Sequence, residues 1–231
     1  MTFTYVEIHH KRYVRDREPQ ECPVCHFGVQ PTENTWSLAE SKDNGHILEI
    51  VFLCPRNECH HLFIARYRRD DSGGVTTSPH GNARFFRLYE SVPAKPRLVD
   101  IPSEVATISP SFVEIYSQAS AAETYSLQQV AGAGYRKALE FLIKDYCISF
   151  KPSDEALIRS STLSACIRQF VDSPQAKTCA ERGAWLGNDE THYERQWDSM
   201  DLKNLKDLIL LTVNWIHSSL LTRKYEKDMP A

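Results

Sequence analysis

The chain has 231 residues, 42% hydrophobic and 25% charged, enough apolar side chain for a buried core in a small module joined to a larger one. Its formal net charge is −3, and dividing it at Ser103 leaves 13 basic and 13 acidic side chains before the cut and 14 and 17 after it. A global electrostatic pull toward nucleic acid or an acidic surface is thereby excluded.

No apolar run is long enough to span a bilayer, and Met1-Thr2-Phe3-Thr4-Tyr5 lacks the apolar core of a signal peptide. A cytoplasmic protein without a membrane partner is expected. The seven cysteines agree with that compartment: four fall in two pairs, and Cys147, Cys166 and Cys179 are scattered through helical segments, where a free thiol behaves as a small apolar residue.

From Phe3 to Val14, aromatic and β-branched residues surround His9-His10-Lys11-Arg12, as in one strand or a loose hairpin. Cys22-Pro23-Val24-Cys25 and a connecting stretch follow. Ile47–Leu53 is a strong strand that runs into Cys54-Pro55-Arg56-Asn57-Glu58-Cys59, and Leu62–Tyr67 reads as the next strand. Strand, knuckle, strand is the layout of a zinc ribbon.

Zinc takes four tetrahedral ligands, which two short turns of two thiolates each can supply. Here the turns are Cys22-x2-Cys25 and the wider Cys54-x4-Cys59, each with a proline after its first cysteine to stiffen the knuckle. His26, His60 and His61 stand close enough in sequence to compete as ligands. Two unrelated thiol pairs or a disulfide are the plain alternatives. A β module this small needs a staple to fold, and this favours Zn2+ held structurally with no position open for water. A redox role for Cys22 and Cys25 lacks the strand-to-helix context it requires.

Arg66-Tyr67-Arg68-Arg69 and Arg84-Phe85-Phe86-Arg87 follow the second knuckle. Strand alternation puts Arg66 and Arg68 on one face, and arginines among aromatics suit phosphate contact and base stacking. Arg66, Arg68, Arg69, Arg84 and Arg87 are therefore candidate nucleic-acid contacts. The plain reading is a solvated face balanced by Asp70, Asp71 and Glu90.

Asp70-Asp71-Ser72-Gly73-Gly74 is a predicted turn and Ala83–Tyr89 a further strand. Pro93, Pro96, Pro102 and Pro110 then make a stiff extended linker. Beyond it the periodicity is helical, over Phe112–Glu123, Ser126–Phe150, Leu163–Val171, Ala176–Leu186 and Leu202–Thr222. Gly132 and Gly134 either weaken the long helix or admit a close neighbour. Such faces are naturally buried in an antiparallel bundle.

Trp185-Leu186-Gly187-Asn188-Asp189-Glu190-Thr191-His192-Tyr193 is polar where its neighbours are apolar. Gly187-Asn188 is a turn signal, and Asn188 or Asp189 would cap a restarting helix with Glu190 in its first turn. Arg136 and Glu140 lie one helical turn apart, and Asn188 with His192 would face them. The four residues form either a structural hydrogen-bond cluster or the floor of a ligand site, and mutual satisfaction favours the former.

With these stretches in view, the chain resembles the bacterial domain-of-unknown-function family 4145 over roughly residues 95–222. The matching residues are Ile101-Pro102, Ser109-Pro110-Ser111-Phe112, Tyr116-Ser117-Gln118-Ala119, Tyr135-Arg136-Lys137-Ala138-Leu139-Glu140 and Leu186–Tyr193. The resemblance implies a helical domain, often preceded by zinc knuckles, found in bacterial proteins of which some are linked to restriction and phage defence. It implies no established activity. Such bundles are also similar to HEPN domains, some of them metal-independent ribonucleases that carry an Arg followed after four to six residues by a His on one helix. This chain departs from that pattern: the positions before His192 hold Trp185, Leu186 and Gly187, and His217 also lacks the arginine. Only Arg56 and His61 fit the count, and they lie in a knuckle.

The expected protein is thus α+β. Residues 1–92 form a zinc-ribbon-like β module, 93–110 a proline-rich linker, and 111–226 an antiparallel helical bundle. It acts as a non-enzymatic interaction module for a protein or nucleic acid, with self-association into a homodimer admitted. The alternative is a HEPN-like or unconventional nuclease built on His192, Glu190 and Arg182.

Overall fold

The computed structural model describes residues 4–8, 11–40, 46–70, 76–78, 81–96 and 99–230. It divides into two compact units, Met1–Lys95 and Pro96–Ala231.

The first unit is a sheet of seven strands: β1 Thr4–Ile8, β2 Lys11–Arg15, β3 Thr32–Glu40, β4 Ile47–Leu53, β5 Leu62–Arg69, β6 Thr76–Ser78 and β7 Gly81–Val92. Their order across the sheet is β1-β2-β7-β5-β4-β3, with β6 folded back on β7. All neighbours are antiparallel except β2 and β7, which run parallel. The alternation in β4 and β5 sends Leu48, Ile50, Phe52, Phe63, Ala65 and Tyr67 to one buried face, joined by Tyr13, Phe86 and Val24. Glu49, Arg66 and Arg68 take the opposite face.

The sheet is larger than the ribbon expected from strand, knuckle and strand. The stretch read as a mere connection holds β3, whose Thr, Asn, Ser and Glu residues carry no clean alternation. Pairing with β4, through a bulge between Glu33 and Leu38, supplies what propensity does not. The turn expected at Asp70–Gly74 falls mostly on residues outside the described ones.

The second unit is helical: α1 Ser103–Ile108, α2 Pro110–Thr124, α3 Gln128–Phe150, α4 Glu155–Ser160, α5 Leu163–Phe170, α6 Pro174–Asp189 and α7 Leu202–Asp228, with a 3-10 turn at Pro152–Asp154. Helix α3 is the axis of the core, burying Ala131, Tyr135, Ala138, Leu139, Leu142, Ile143 and Tyr146 against its neighbours. Gly134 admits α2 closely, since a Cβ there would lie 2.9 Å from that of Ala119. Thr162, Ser173 and Asp201 cap α5, α6 and α7, the last through a reciprocal capping box with Asn204.

The proline-rich stretch is not a simple extended linker. Pro102 precedes α1, Pro110 opens α2 at its first turn, and Val99 and Ile101 pack on the helical core. Proline is tolerated where a helix leaves its first N–H groups unpaired anyway, so these prolines start helices.

Candidate metal centre

Each cysteine pair sits on a tight backbone knuckle. In the first, the Cys22 N–H bonds the Phe27 carbonyl at 3.1 Å, the His26 N–H bonds the Cys22 carbonyl at 2.9 Å, and Glu21 bridges to Gly28. In the second, the Cys59 and His60 N–H groups both reach the Arg56 carbonyl, at 3.0 and 2.8 Å. The residue after the second cysteine is left-handed in both, His26 at φ 59° and His60 at φ 45°. The two knuckles are thus alike in backbone form although their spacings differ.

They converge on one point. The four Sγ atoms of Cys22, Cys25, Cys54 and Cys59 lie within 4.8 Å of one another. Cys22 and Cys59 are 3.8 Å apart and Cys25 and Cys54 3.9 Å, each contact crossing from one knuckle to the other. A disulfide needs about 2.0 Å, so all four are free thiols. Cys22 and Cys54 are fully buried, beneath the apolar face of the sheet. The Arg56 guanidinium of the second knuckle lies 3.5 Å over the Phe27 ring beside the first, a cation–π contact between the two.

The electrostatics are those of thiols crowded together. Burial pushes the Cys22 thiol up to about 12 and raises Cys54. At Cys25 burial pushes the same way, but the Phe27 backbone N–H and the neighbouring thiols outweigh it and bring the group down to about 7. A thiolate forms readily at Cys25 and is resisted at Cys22 and Cys54, a resistance that a divalent cation among the four would reverse. The four residues can hold a metal ion.

None of the three histidines joins the quartet. His61 Nδ1 donates to the Cys59 carbonyl at 2.5 Å and lies 3.6 Å from its sulfur, so it braces a cysteine. His26 Nδ1 faces Glu21 at 3.4 Å.

Two of the five candidate arginines, Arg66 and Arg87, are paired with acids of the same unit. Arg66 donates to Glu49 on β4 at 2.8 Å and to Glu90 on β7 at 3.1 Å, its direct cross-strand partners. Arg87 pairs with Asp70 at 2.5 Å. Arg68 is exposed, with its guanidinium 4.6 Å over the Tyr89 ring. Arg69 pairs in register with Phe86. Arg84 lies on β7, and its side chain is outside the described ones.

In the helical unit, Arg136 Nε donates to Asn188 Oδ1 at 3.0 Å and Arg136 Nη1 to Glu140 at 3.1 Å, while Lys144 reaches Glu140 at 2.8 Å. Burial disfavours the Glu140 carboxylate, but Lys144 and then Arg136 more than offset it and hold Glu140 below the ordinary carboxylate value. His192 is not in the group. Its side chain is exposed, and only its backbone N–H reaches Asn188, at 3.0 Å to the carbonyl.

The reason is a correction to the expected turn. Gly187 and Asn188 continue α6 to Asp189, and no helix restarts there; Asp201, not Asn188 or Asp189, caps the next one. Gly187 faces α3, where a Cβ would meet Arg136 Cδ at 2.5 Å. The glycine provides clearance for an arginine, and the chain turns only after Asp189, which carries His192 away from α3. No family model, curated protein or solved structure matches this chain.

Two features of this region escaped sequence reasoning. Asp189 is 7% exposed, and its Oδ2 accepts the backbone N–H groups of Gln196 and Trp197 at 3.0 and 2.7 Å. Trp197 is thereby set nearly parallel to Trp185, with planes 8° apart and ring centroids at 6.4 Å. Lys144, four residues after Glu140, could have been found by helical spacing alone.

Proposed function

We propose that the first unit is a zinc ribbon in which Cys22, Cys25, Cys54 and Cys59 hold one structural Zn2+, and that the protein is a non-enzymatic interaction module. The observation carrying this is the sulfur spacing. A zinc–thiolate bond of about 2.3 Å in a tetrahedron places neighbouring sulfurs about 3.8 Å apart, against 3.8 and 3.9 Å across the two knuckles here. When bound, the ion would supply folding energy by tying the knuckles, and its four thiolates would leave no site for substrate or water. Cys25 would enter the site most readily as thiolate, and the buried Cys22 and Cys54 would shield it from solvent.

The proposal extends to the helical unit as an antiparallel bundle of the domain-of-unknown-function family 4145, with a link to phage defence, on the motifs quoted above. A protein partner is favoured over nucleic acid, because Arg66 and Arg87 already pair with Glu49, Glu90 and Asp70. The nuclease alternative has less support: Glu190 is engaged by Arg195 at 2.9 Å, and Arg182 and His192 are both exposed.

Elemental analysis of protein purified without chelator tests the central proposal, with one zinc per chain expected. Protein that is folded and free of metal would refute it.

A further inference from the structure

The four thiols of the two knuckles divide by exposure. Cys22 and Cys54 are fully buried, whereas Cys25 and Cys59 are half-buried. Each sulfur contact joins one of each kind and crosses between the knuckles. Cys59 meets Cys22 at 3.8 Å, and Cys25 meets Cys54 at 3.9 Å. A small oxidant that reaches the quartet meets Cys25 or Cys59 first, and a buried thiol of the other knuckle lies in contact behind it.

The knuckles are held together by more than their sulfurs. Backbone hydrogen bonds close each turn, and Arg56 lies over Phe27 from one knuckle to the other. Cys22 and Cys54 pack into one apolar cluster with Phe52 and Phe63. Rotation of cysteine side chains on this frame is all that a bond requires. The sulfurs of each pair close from 3.8 or 3.9 Å to the disulfide length of about 2.0 Å.

We propose that the quartet is an oxidation site, at which a hydroperoxide forms two disulfides, Cys22–Cys59 and Cys25–Cys54, that staple the first unit in place of a metal ion. In each pair the half-buried thiolate attacks a peroxide oxygen and becomes a sulfenic acid, as the O–O bond breaks and hydroxide leaves. The buried thiolate then attacks the sulfenic sulfur, forming the S–S bond and expelling a second hydroxide. Two electrons pass from each thiolate pair to one peroxide. Two protons from solvent turn the hydroxides into water.

Closed across the knuckles, the bonds join residues 37 and 29 positions apart. Bonds within the knuckles would join residues only three and five apart. The longer loops take more freedom from the unfolded chain, so the crossed pairs keep the unit folded after its thiolates are gone. Cys22 and Cys25 therefore act in different bonds and need no exchange-active helix beside them. This second state of the site rests on the zinc proposal only for the release of metal. The pairing itself rests on the sulfur contacts.

The full chain, its zinc content measured first, should be treated with hydrogen peroxide, alkylated, cut with trypsin and analysed by mass spectrometry. Cleavage leaves Cys22 and Cys25 on one peptide, 18–42, and puts Cys54 and Cys59 on two others, 43–56 and 57–66. Peptide 18–42 is expected joined to both, and fragmentation between its two cysteines should place Cys59 on Cys22. Four of the seven thiols should be lost, with zinc appearing in solution at the same rate, and dithiothreitol should reverse both changes. The oxidised protein should keep hydrogen-exchange protection in β4 and β5, which reduced protein stripped by chelator loses. A free peptide 18–42 beside joined 43–56 and 57–66 would overturn the proposal, as would the opposite crossed pairing. So would sulfinic acid at Cys25 or Cys59 without a bond, or an oxidised first unit that has lost its protection. Absence of zinc before oxidation would refute the zinc proposal alone.

Discussion

Gly187 on α6 lies against Arg136 on α3, so close that a Cβ at the glycine would stand 2.5 Å from Arg136 Cδ and 3.0 Å from its Cβ. The arginine spans the contact and donates to Asn188, the residue after the glycine. Gly187→Ala should therefore displace Arg136 and break that bond. Overpacking of this kind costs about 1–3 kcal/mol, or about 2–4 °C of melting temperature per kcal/mol. Thermal melts should show the loss, and a double-mutant cycle with Arg136→Ala should show strong coupling.

Asp189 offers a sharper separation of roles. Replacing it with Ala leaves the Gln196 and Trp197 N–H groups without their acceptor, at a cost of about 1–3 kcal/mol. Hydrogen exchange should accelerate over residues 190–201 while α3 stays protected. Equal acceleration in both regions would mean that the aspartate supports the whole core.

His192→Ala should change stability by no more than about 0.5 kcal/mol, because an exposed side chain outside the Arg136 cluster leaves little to lose. A melting temperature several degrees lower would return His192 to that cluster.

The pH dependence of the cluster follows from Glu140. Its folded value is depressed below the ordinary 4.5, so its ion pairs stabilise the fold fully above that pH and the contribution fades as pH falls through the lower folded value. Glu140→Gln should melt below the natural protein at pH 7, and the gap should close in acid. A gap independent of pH would assign the glutamate's effect to packing.

At the cysteine quartet, Cys54→Ser should unfold the first unit and leave the far-ultraviolet signature of the helical unit in place. Cys179→Ser, at a half-buried thiol on α6, should leave metal content unchanged. Metal analysis on both variants checks the pair.

How much of this was legible in the sequence depended on whether a signal was local. Two cysteine pairs with a proline after each first thiol mark knuckles without help from the rest of the chain. The apolar stripe of α3 likewise announces itself over many turns. Strand β3 was hidden because Thr32–Glu40 acquires strand form from β4 and not from its own composition. Gly187-Asn188 misled for a related reason. Glycine there serves an arginine 51 positions earlier in the chain, and a turn signal cannot be told from a clearance signal until the partner helix is placed. Trp185 and Trp197 are brought parallel by a buried carboxylate, a relation that no local pattern encodes.

Strand β7, which closes the first unit, lies between β2 and β5 in the middle of the sheet yet is the last strand of that unit in the chain. During synthesis β2 must wait for it, through more than sixty residues, with its edge unpaired. All four thiols emerge before β7 begins. The knuckles can therefore join while the sheet still lacks its centre, and a nascent chain stalled short of Gly81 would carry a formed quartet beside two open strand edges, β2 and β5, each ready to pair with another molecule.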